Sequence, residues 1–195
     1  MVKELEHLKN YPNIIFDLDN TIYDQRDFDY EVYTQLFNSP SLGKKLVDYK
    51  QTMPYGYTKL FNDFLEKEKI DKSVKECVEF YRSYEPSLTN TPSLLPFLST
   101  IDSSNLYLIS NGYKKLQLNK IKALKLSNIF KKIIILDPLE TKNLKPNPQA
   151  FLDLEIKKED SIYVGDNLSI DKEFAKNAKI DFYHFQFIKD THEMY

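Results

Sequence analysis

The chain predicts an α/β protein: a Rossmann-like parallel sheet core with a small all-helical cap inserted after the first strand. Three observations predict it. After Glu85-Pro86, short apolar strands alternate with helical segments, the rhythm of a parallel sheet. One apolar strand, at residues 13–18, stands well ahead of that alternation. Between the two, from Phe28 to about Tyr84, the apolar residues recur with helical period. On this reading residues 1–25 and 86–195 form the core and residues 26–85 the cap.

Each element has its own local reason. The first strand is an unbroken apolar run, as expected of a parallel strand buried on both faces. In the cap, Phe28, Val32, Tyr33, Leu36 and Phe37 share one helical face. So do Tyr57, Leu60, Phe61, Phe64 and Leu65, and again Val74, Cys77, Val78 and Tyr81. Ser39-Pro40, Met53-Pro54-Tyr55-Gly56 and Ile70-Asp71 punctuate these helices. In the core, Leu106–Ile109 is a strand, 113–126 a helix and Ile133–Leu136 a strand. Pro148–Glu155 begins a helix, with Asn147 as N-cap and Pro148 at its first position. Ser161–Val164, a helix near 169–178 and a strand near 181–187 complete the order.

Composition narrows the function classes. A chain of 195 residues with 42% hydrophobic content can bury a real core. Its 27 basic and 29 acidic residues leave a net charge of −2, which makes no electrostatic case for a nucleic-acid polymer or a membrane surface. The opening MVKELEHLKN is too charged for a signal peptide, and no apolar run is long enough to span a membrane. Cys77 is the only cysteine, so no internal disulfide or thiolate metal cluster forms, and a reducing, cytoplasmic setting is expected. His7, His184 and His192 show no spacing that suggests a metal site or a triad.

The chemistry begins at Asn13-Ile14-Ile15-Phe16-Asp17-Leu18-Asp19-Asn20-Thr21, where an apolar run ends in two carboxylates and a hydroxyl. The carboxyl ends of strands are where open α/β sheets place their ligands. Two acids there repel unless a cation or a proton sits between them, and magnesium takes oxygen ligands of this kind. By itself Asp-x-Asp is a common turn. Further on, Ile109 leads into Ser110-Asn111-Gly112, which suits a phosphate at a helix start and equally suits a plain N-cap serine. Lys145-Pro146-Asn147-Pro148 puts a lysine before a helix, where it neutralises a phosphoryl oxygen or simply lies on the surface. Tyr163-Val164 runs into Gly165-Asp166-Asn167, with Asp171 five residues beyond Asp166. The four motifs in this order, three of them closing strands, outweigh the plain reading of each.

The ordered set resembles the haloacid dehalogenase superfamily of aspartate-nucleophile hydrolases, and the helical segment matches that superfamily's cap placed after the first motif. Asn128-Ile129-Phe130, Gln149-Ala150-Phe151 and Ala175-Lys176-Asn177-Ala178 also look like the family, and Phe16 to Tyr23 looks most like its pyrimidine 5′-nucleotidase branch. The resemblance implies a magnesium-dependent phosphomonoester hydrolase acting through an aspartyl-phosphate on small phosphorylated metabolites, with nucleoside 5′-monophosphates as the leading class. It implies Asp17 as nucleophile and Asp19 as acid, then base. Asp17, the backbone carbonyl of Asp19, and Asp166 would hold Mg2+, and Asp171 would orient its waters. Thr21, Ser110, Asn111 and Lys145 would lie on the phosphate side. An acid at Asp19 favours phosphate-ester chemistry over dehalogenation. Phe174 and Lys179 depart from the family, standing where it usually has glycines.

The cap is rich in aromatics, among them Tyr30, Tyr33, Tyr49, Tyr55, Tyr57, Phe61 and Phe64. Those at helical spacing are expected to pack; Tyr49 and Tyr55 are the candidates to meet a substrate ring, with packing the stronger reading even there. Lys50 is either a contact for a substrate anion or a solvated lysine. Two other readings stay open: a phosphoryl-transferring mutase on the same scaffold, and a receiver-like phospho-aspartate module. The position of Lys145 before the last Gly-Asp strand and the long helical insert argue against the receiver. Oligomeric state is not expressed in the sequence.

Overall fold

The computed structural model describes residues 5–54, 56–88 and 91–186. Five strands form one parallel sheet: β1 (Asn13–Phe16), β2 (Leu106–Asn111), β3 (Lys132–Leu136), β4 (Ser161–Gly165) and β5 (Asp181–His184), in the order β3-β2-β1-β4-β5. β1 is central and registers Ile14 and Phe16 against Leu106 and Leu108 on one side, and against Ile162 and Val164 on the other. The chain builds outward from β1 to β3, then returns to the far side of β1 for β4 and β5. That reversal places the crevice where such sheets bind ligands between β1 and β4.

The period-two alternation of the strands sorts two apolar layers. Ile14, Phe16, Leu106, Leu108, Ile162 and Val164 face one side, where Leu116, Ile121 and the helical segment cover them. Ile15, Tyr107, Ile109 and Tyr163 face the other, covered by Ala150, Phe151, Phe174, Ala175 and Ala178.

Between β1 and β2 lie α1 (Gln25–Phe37), α2 (Pro40–Gln51), α3 (Leu60–Glu68), α4 (Val74–Ser83) and the short α5 (Leu95–Leu98). Their starts follow local chemistry. Ser39 caps α2 with Pro40 in its first turn, and Ser73 and Glu76 form a reciprocal capping box on α4. Their apolar faces join the first layer without a break, from Ile14 and Phe16 through Phe28 and Val32 to Phe64 and Cys77. The remaining helices are α6 (Lys114–Ala123), α7 (Gln149–Leu152) and α8 (Glu173–Ala178), the last preceded by a wide π turn at Leu168–Lys172. No helix among the described residues is long and apolar enough to cross a membrane.

The expected boundaries shift in three places. β1 stops at Phe16, because Asp17 still donates its N–H to Val164 (2.9 Å) but Asn20 then turns the chain at φ +56°. α7 is shorter than expected, and Pro148 stands just before it while Asn147 Oδ1 accepts from the N–H of Gln149 at 2.9 Å. The last strand is expected to reach residue 187 but ends at His184, with Phe185 and Gln186 outside it; residue 187 itself lies outside the described residues, as do Tyr55 and His192.

Candidate active site

The site lies where β1, β2 and β4 end. Asp17 follows β1, Ser110 and Asn111 close β2, and Asp166 follows Gly165 at the end of β4. Lys145 enters from the loop between β3 and α7 and is almost wholly buried. All three of its N–H bonds are used, each at 2.7 Å: to Asp17 Oδ1, to Asp171 Oδ1 and to the Tyr163 hydroxyl. The Tyr163 hydroxyl in turn donates to the carbonyl of Ile109 at 3.0 Å. Asp171 is further held by the N–H of Asn167 (3.0 Å), and its approach depends on Gly165, where a Cβ would lie 2.6 Å from it.

This gathering of acids has an electrostatic signature. Burial pushes the Asp17 carboxyl up to about 8; Lys145 opposes the rise, while Asp171 and Asp19 add to it. Asp166 is raised to about 6, again by burial first and by Asp171 second. Lys145 is held well above its ordinary value: burial opposes its charge, and the anions around it prevail.

Asp19 sits two residues from Asp17 in a different environment. Its Oδ1 accepts from Lys120 Nζ (2.9 Å) and the Tyr23 hydroxyl (2.7 Å), and its Oδ2 accepts from Gln117 Nε2 (2.9 Å). Burial raises its pKa, but the Lys120 charge and these three hydrogen bonds outweigh that, so it lies below the ordinary carboxylate value. Gln117 Nε2 gives its second proton to Ser110 Oγ at 2.8 Å. Because Ser110 Oγ accepts that bond, its own O–H is free to donate to a third group. Gly112 makes room: a Cβ there would lie 2.9 Å from Gln117 Cδ.

The candidates named from sequence do not all converge. Asp17, Asp19, Ser110, Asn111, Lys145, Asp166 and Asp171 line one cavity of about 510 Å³. Thr21 does not. It turns into the interior, fully buried, and its Oγ1 has no hydrogen-bond partner among the described residues. Asn111 reaches the cavity wall, but its side-chain amide is engaged at both ends by Lys145, donating to the carbonyl (3.1 Å) and accepting from the N–H (2.9 Å). It positions the lysine loop. Ser110 belongs to β2 and is not an N-cap. α6 starts later, and Asp137 at the end of β3 supplies the carboxylate that accepts from the N–H of Lys114 at 2.8 Å.

The sequence reading missed Gln117 and Lys120. Both are buried on the face of α6 that also carries Leu116 and Ile121, and two polar residues inside an apolar face were the available signal.

The cavity's other wall comes from the helical segment: Gln25, Arg26, Asp29, Lys50, Gln51 and Tyr57 among others. Tyr49 is not part of it; its ring packs near Phe64 with Lys67 over its face at 4.9 Å. Tyr30, Tyr33, Phe61 and Phe64 pack in the apolar layer. Lys50 is partly exposed on the cavity wall and pairs with the buried carboxylate of Asp29 at 2.6 Å.

The donor set fits a hard divalent cation. Asp17, Asp166 and Asp171 each present a carboxylate oxygen within 4.8 Å of the others. Burial with too little positive charge nearby is what raises Asp17 and Asp166, and a dication among oxygen donors removes that penalty.

Comparison with known proteins gives a consistent fold. The family model of haloacid dehalogenase-like hydrolases matches residues 14–185. Similar solved structures include Bacillus subtilis YfnB, described as a HAD-hydrolase and solved bound to magnesium, at 19% identity and TM-score 0.63, covering 89% of this chain and 87% of that one. A Clostridium difficile protein named as a phosphatase matches at 24% identity and TM-score 0.61, covering 90% and 88%. A Thermotoga maritima protein named as a β-phosphoglucomutase matches at 19% identity and TM-score 0.60, covering 92% and 88%. Comparison with curated proteins found no match.

Proposed function

The chain belongs to the haloacid dehalogenase-like hydrolases, and from that premise we propose that it hydrolyses phosphomonoesters through an aspartyl-phosphate on Asp17, with magnesium as cofactor. One observation carries the reading: two carboxylates, two residues apart, are held in opposite ways. Asp17 faces the acidic cluster and Lys145, while Asp19 is turned away onto Lys120, Gln117 and Tyr23. Such a split assigns separate roles to two acids in one site.

In this reading Asp17 attacks phosphorus and the ester oxygen leaves, taking a proton through Asp19, which must first acquire that proton against the Lys120 charge and hydrogen bonds that lower its pKa in the substrate-free site. Asp19 then takes a proton from the water that breaks the aspartyl-phosphate. Ser110 donates to a phosphoryl oxygen through the proton left free by Gln117. Lys145 meets another as Asp17 gives up its negative charge to the new bond. Asp17, Asp166 and the backbone carbonyl of Asp19 would hold the magnesium, with Asp171 beside them, and the ion supplies positive charge against the approach of two anions.

The segment 26–85 serves as the cap that closes this cavity. Small phosphorylated metabolites are the substrates, and nucleoside 5′-monophosphates are the first class to test. Support for the nucleotide is the likeness of Phe16 to Tyr23 to the nucleotidase branch, and Tyr57 on the cavity wall, where a base can stack. The test compares kcat/KM for UMP, CMP, AMP and glucose 6-phosphate at saturating magnesium, with and without chelator. Hydrolysis of phosphomonoesters that ceases in chelator is expected, with the pyrimidine nucleotides ~10–100-fold ahead of the sugar phosphate. Full activity in excess chelator defeats the metal reading. A sugar phosphate equal to UMP defeats the nucleotide reading and leaves the phosphatase standing.

A further inference from the structure

Lys120 is a lysine almost without solvent exposure, three residues along α6 from Gln117. Its Nζ meets Asp19 Oδ1 at 2.9 Å and lies 4.4 Å from the centre of the Phe28 ring, on α1. A buried ammonium so placed is costly to desolvate unless it is paired and held. Its partner, Asp19, lies apart from the two carboxylates that Lys145 holds, Asp17 and Asp171. Three donors on two oxygens leave that carboxylate one orientation: Lys120 and Tyr23 on Oδ1, Gln117 on Oδ2. The amide of Gln117 is oriented unambiguously, since a carboxylate only accepts and Nε2 must face it.

We propose that Lys120, with Gln117 beside it, is a positioning residue that fixes the Asp19 carboxylate for the second half of the reaction, the breakdown of the aspartyl-phosphate. The inference rests on the phosphatase reading above. In that half-reaction a water attacks phosphorus, the bond between phosphorus and the Asp17 oxygen breaks, and the water's proton goes to Asp19. A carboxylate free to rotate would meet the water in the wrong direction for much of the time, and small errors of placement in such a step are expensive. Phe28 ties the same lysine to the helical segment, so the seating of that segment and the orientation of the base share one side chain.

The first half-reaction with p-nitrophenyl phosphate needs little help from an acid, because p-nitrophenolate leaves without a proton. Lys120→Met therefore separates the two halves. The expected result is a rapid burst of p-nitrophenolate close to one equivalent of enzyme, then a steady rate lowered ~10–100-fold. KM should fall along with kcat, leaving kcat/KM within about threefold of wild type, and intact-protein mass spectrometry should show a phosphorylated chain. Lys120→Arg, which keeps a charged donor, should recover most of the steady rate. A variant that loses kcat and kcat/KM together without a burst, or that keeps wild-type kcat, overturns the proposal. Thermal melting checks that the variant folds, and should Lys120→Met fail to, Lys120→Gln reads the same burst. A wild-type protein that neither hydrolyses the ester nor takes up phosphate overturns the phosphatase reading itself, an outcome distinct from the loss of the burst.

Discussion

Phe174 packs against Tyr163 with ring centroids 4.9 Å apart and planes tilted by 59°, and through Tyr163 it braces Lys145. The resembling family usually has a glycine where Phe174 stands. Here the position is fully buried, and a large ring fills the space between α8 and the sheet. The Tyr163 hydroxyl is pinned between Lys145 Nζ and the carbonyl of Ile109, so pressure on its ring bears directly on where the lysine points.

Phe174→Ala is expected to lose about 3–5 kcal/mol of stability, the usual range for emptying a buried aromatic site. Freed on one face, Tyr163 should hold Lys145 less firmly, and kcat/KM should drop by about tenfold, a loss typical of a small misplacement in a reactive site. Urea unfolding and steady-state kinetics on one preparation measure both. Lost stability with unchanged kcat/KM would confine Phe174 to packing.

Asp17→Asn keeps nearly the same shape but cannot attack phosphorus. The fold should persist by circular dichroism while turnover disappears. Retention of even about a tenth of wild-type kcat on a phosphomonoester would remove Asp17 from the nucleophile role.

Asp137 predicts an acid-sensitive helix start. The N–H of Lys114 does most to hold its carboxyl below the ordinary value; burial opposes it, and the N–H of Leu139 adds a smaller lowering. A carboxyl depressed in the folded state adds stability that is present above the unfolded value of about 3.9 and is lost as pH falls through the folded one. Asp137→Ala should therefore cost about 1 kcal/mol at neutral pH, and the difference from wild type should shrink below about pH 4. Chemical unfolding at a series of pH values checks it; a difference that stays constant into acid would count against the carboxylate as the cause.

Lys179 ends α8 in the left-handed region at φ +60° and is exposed. A side chain there carries strain of about 1–2 kcal/mol, whereas glycine gives up about 0.5–1 kcal/mol of backbone entropy. Lys179→Gly should raise stability by about 0.5 kcal/mol, read as a higher urea midpoint with an unchanged slope. Since the residue lies away from the cavity, activity should not change.

Much of the candidate site was legible because it is written locally. Asp17, Ser110 and Asp166 could be placed by their order because each follows an apolar run, and a run of that kind ends at the rim of a parallel sheet. The alternation of Ile14 and Ile15, or Leu108 and Ile109, sorts itself into two layers by the same period. The helical segment between β1 and β2 followed from spacing alone.

What tertiary structure decided is which side chains spend their hydrogen bonds on one another. Thr21 follows Asp19 by two residues and reads as its companion, yet the turn at Asn20 sends it inward. Tyr49, beside a loop, left a ring contact open with packing the stronger reading, and it packs near Phe64. Lys120 and Gln117 read as ordinary helix polar residues, and their partner, Asp19, is 101 and 98 positions away. Asp137 caps a helix that begins 23 positions earlier. Sequence by itself determined the strands, their ends and the acids that stand there, because those depend on near neighbours and on burial. The direction in which each acid is held depends on donors brought in from distant segments, and the geometry of close packing settled that only once the chain had folded.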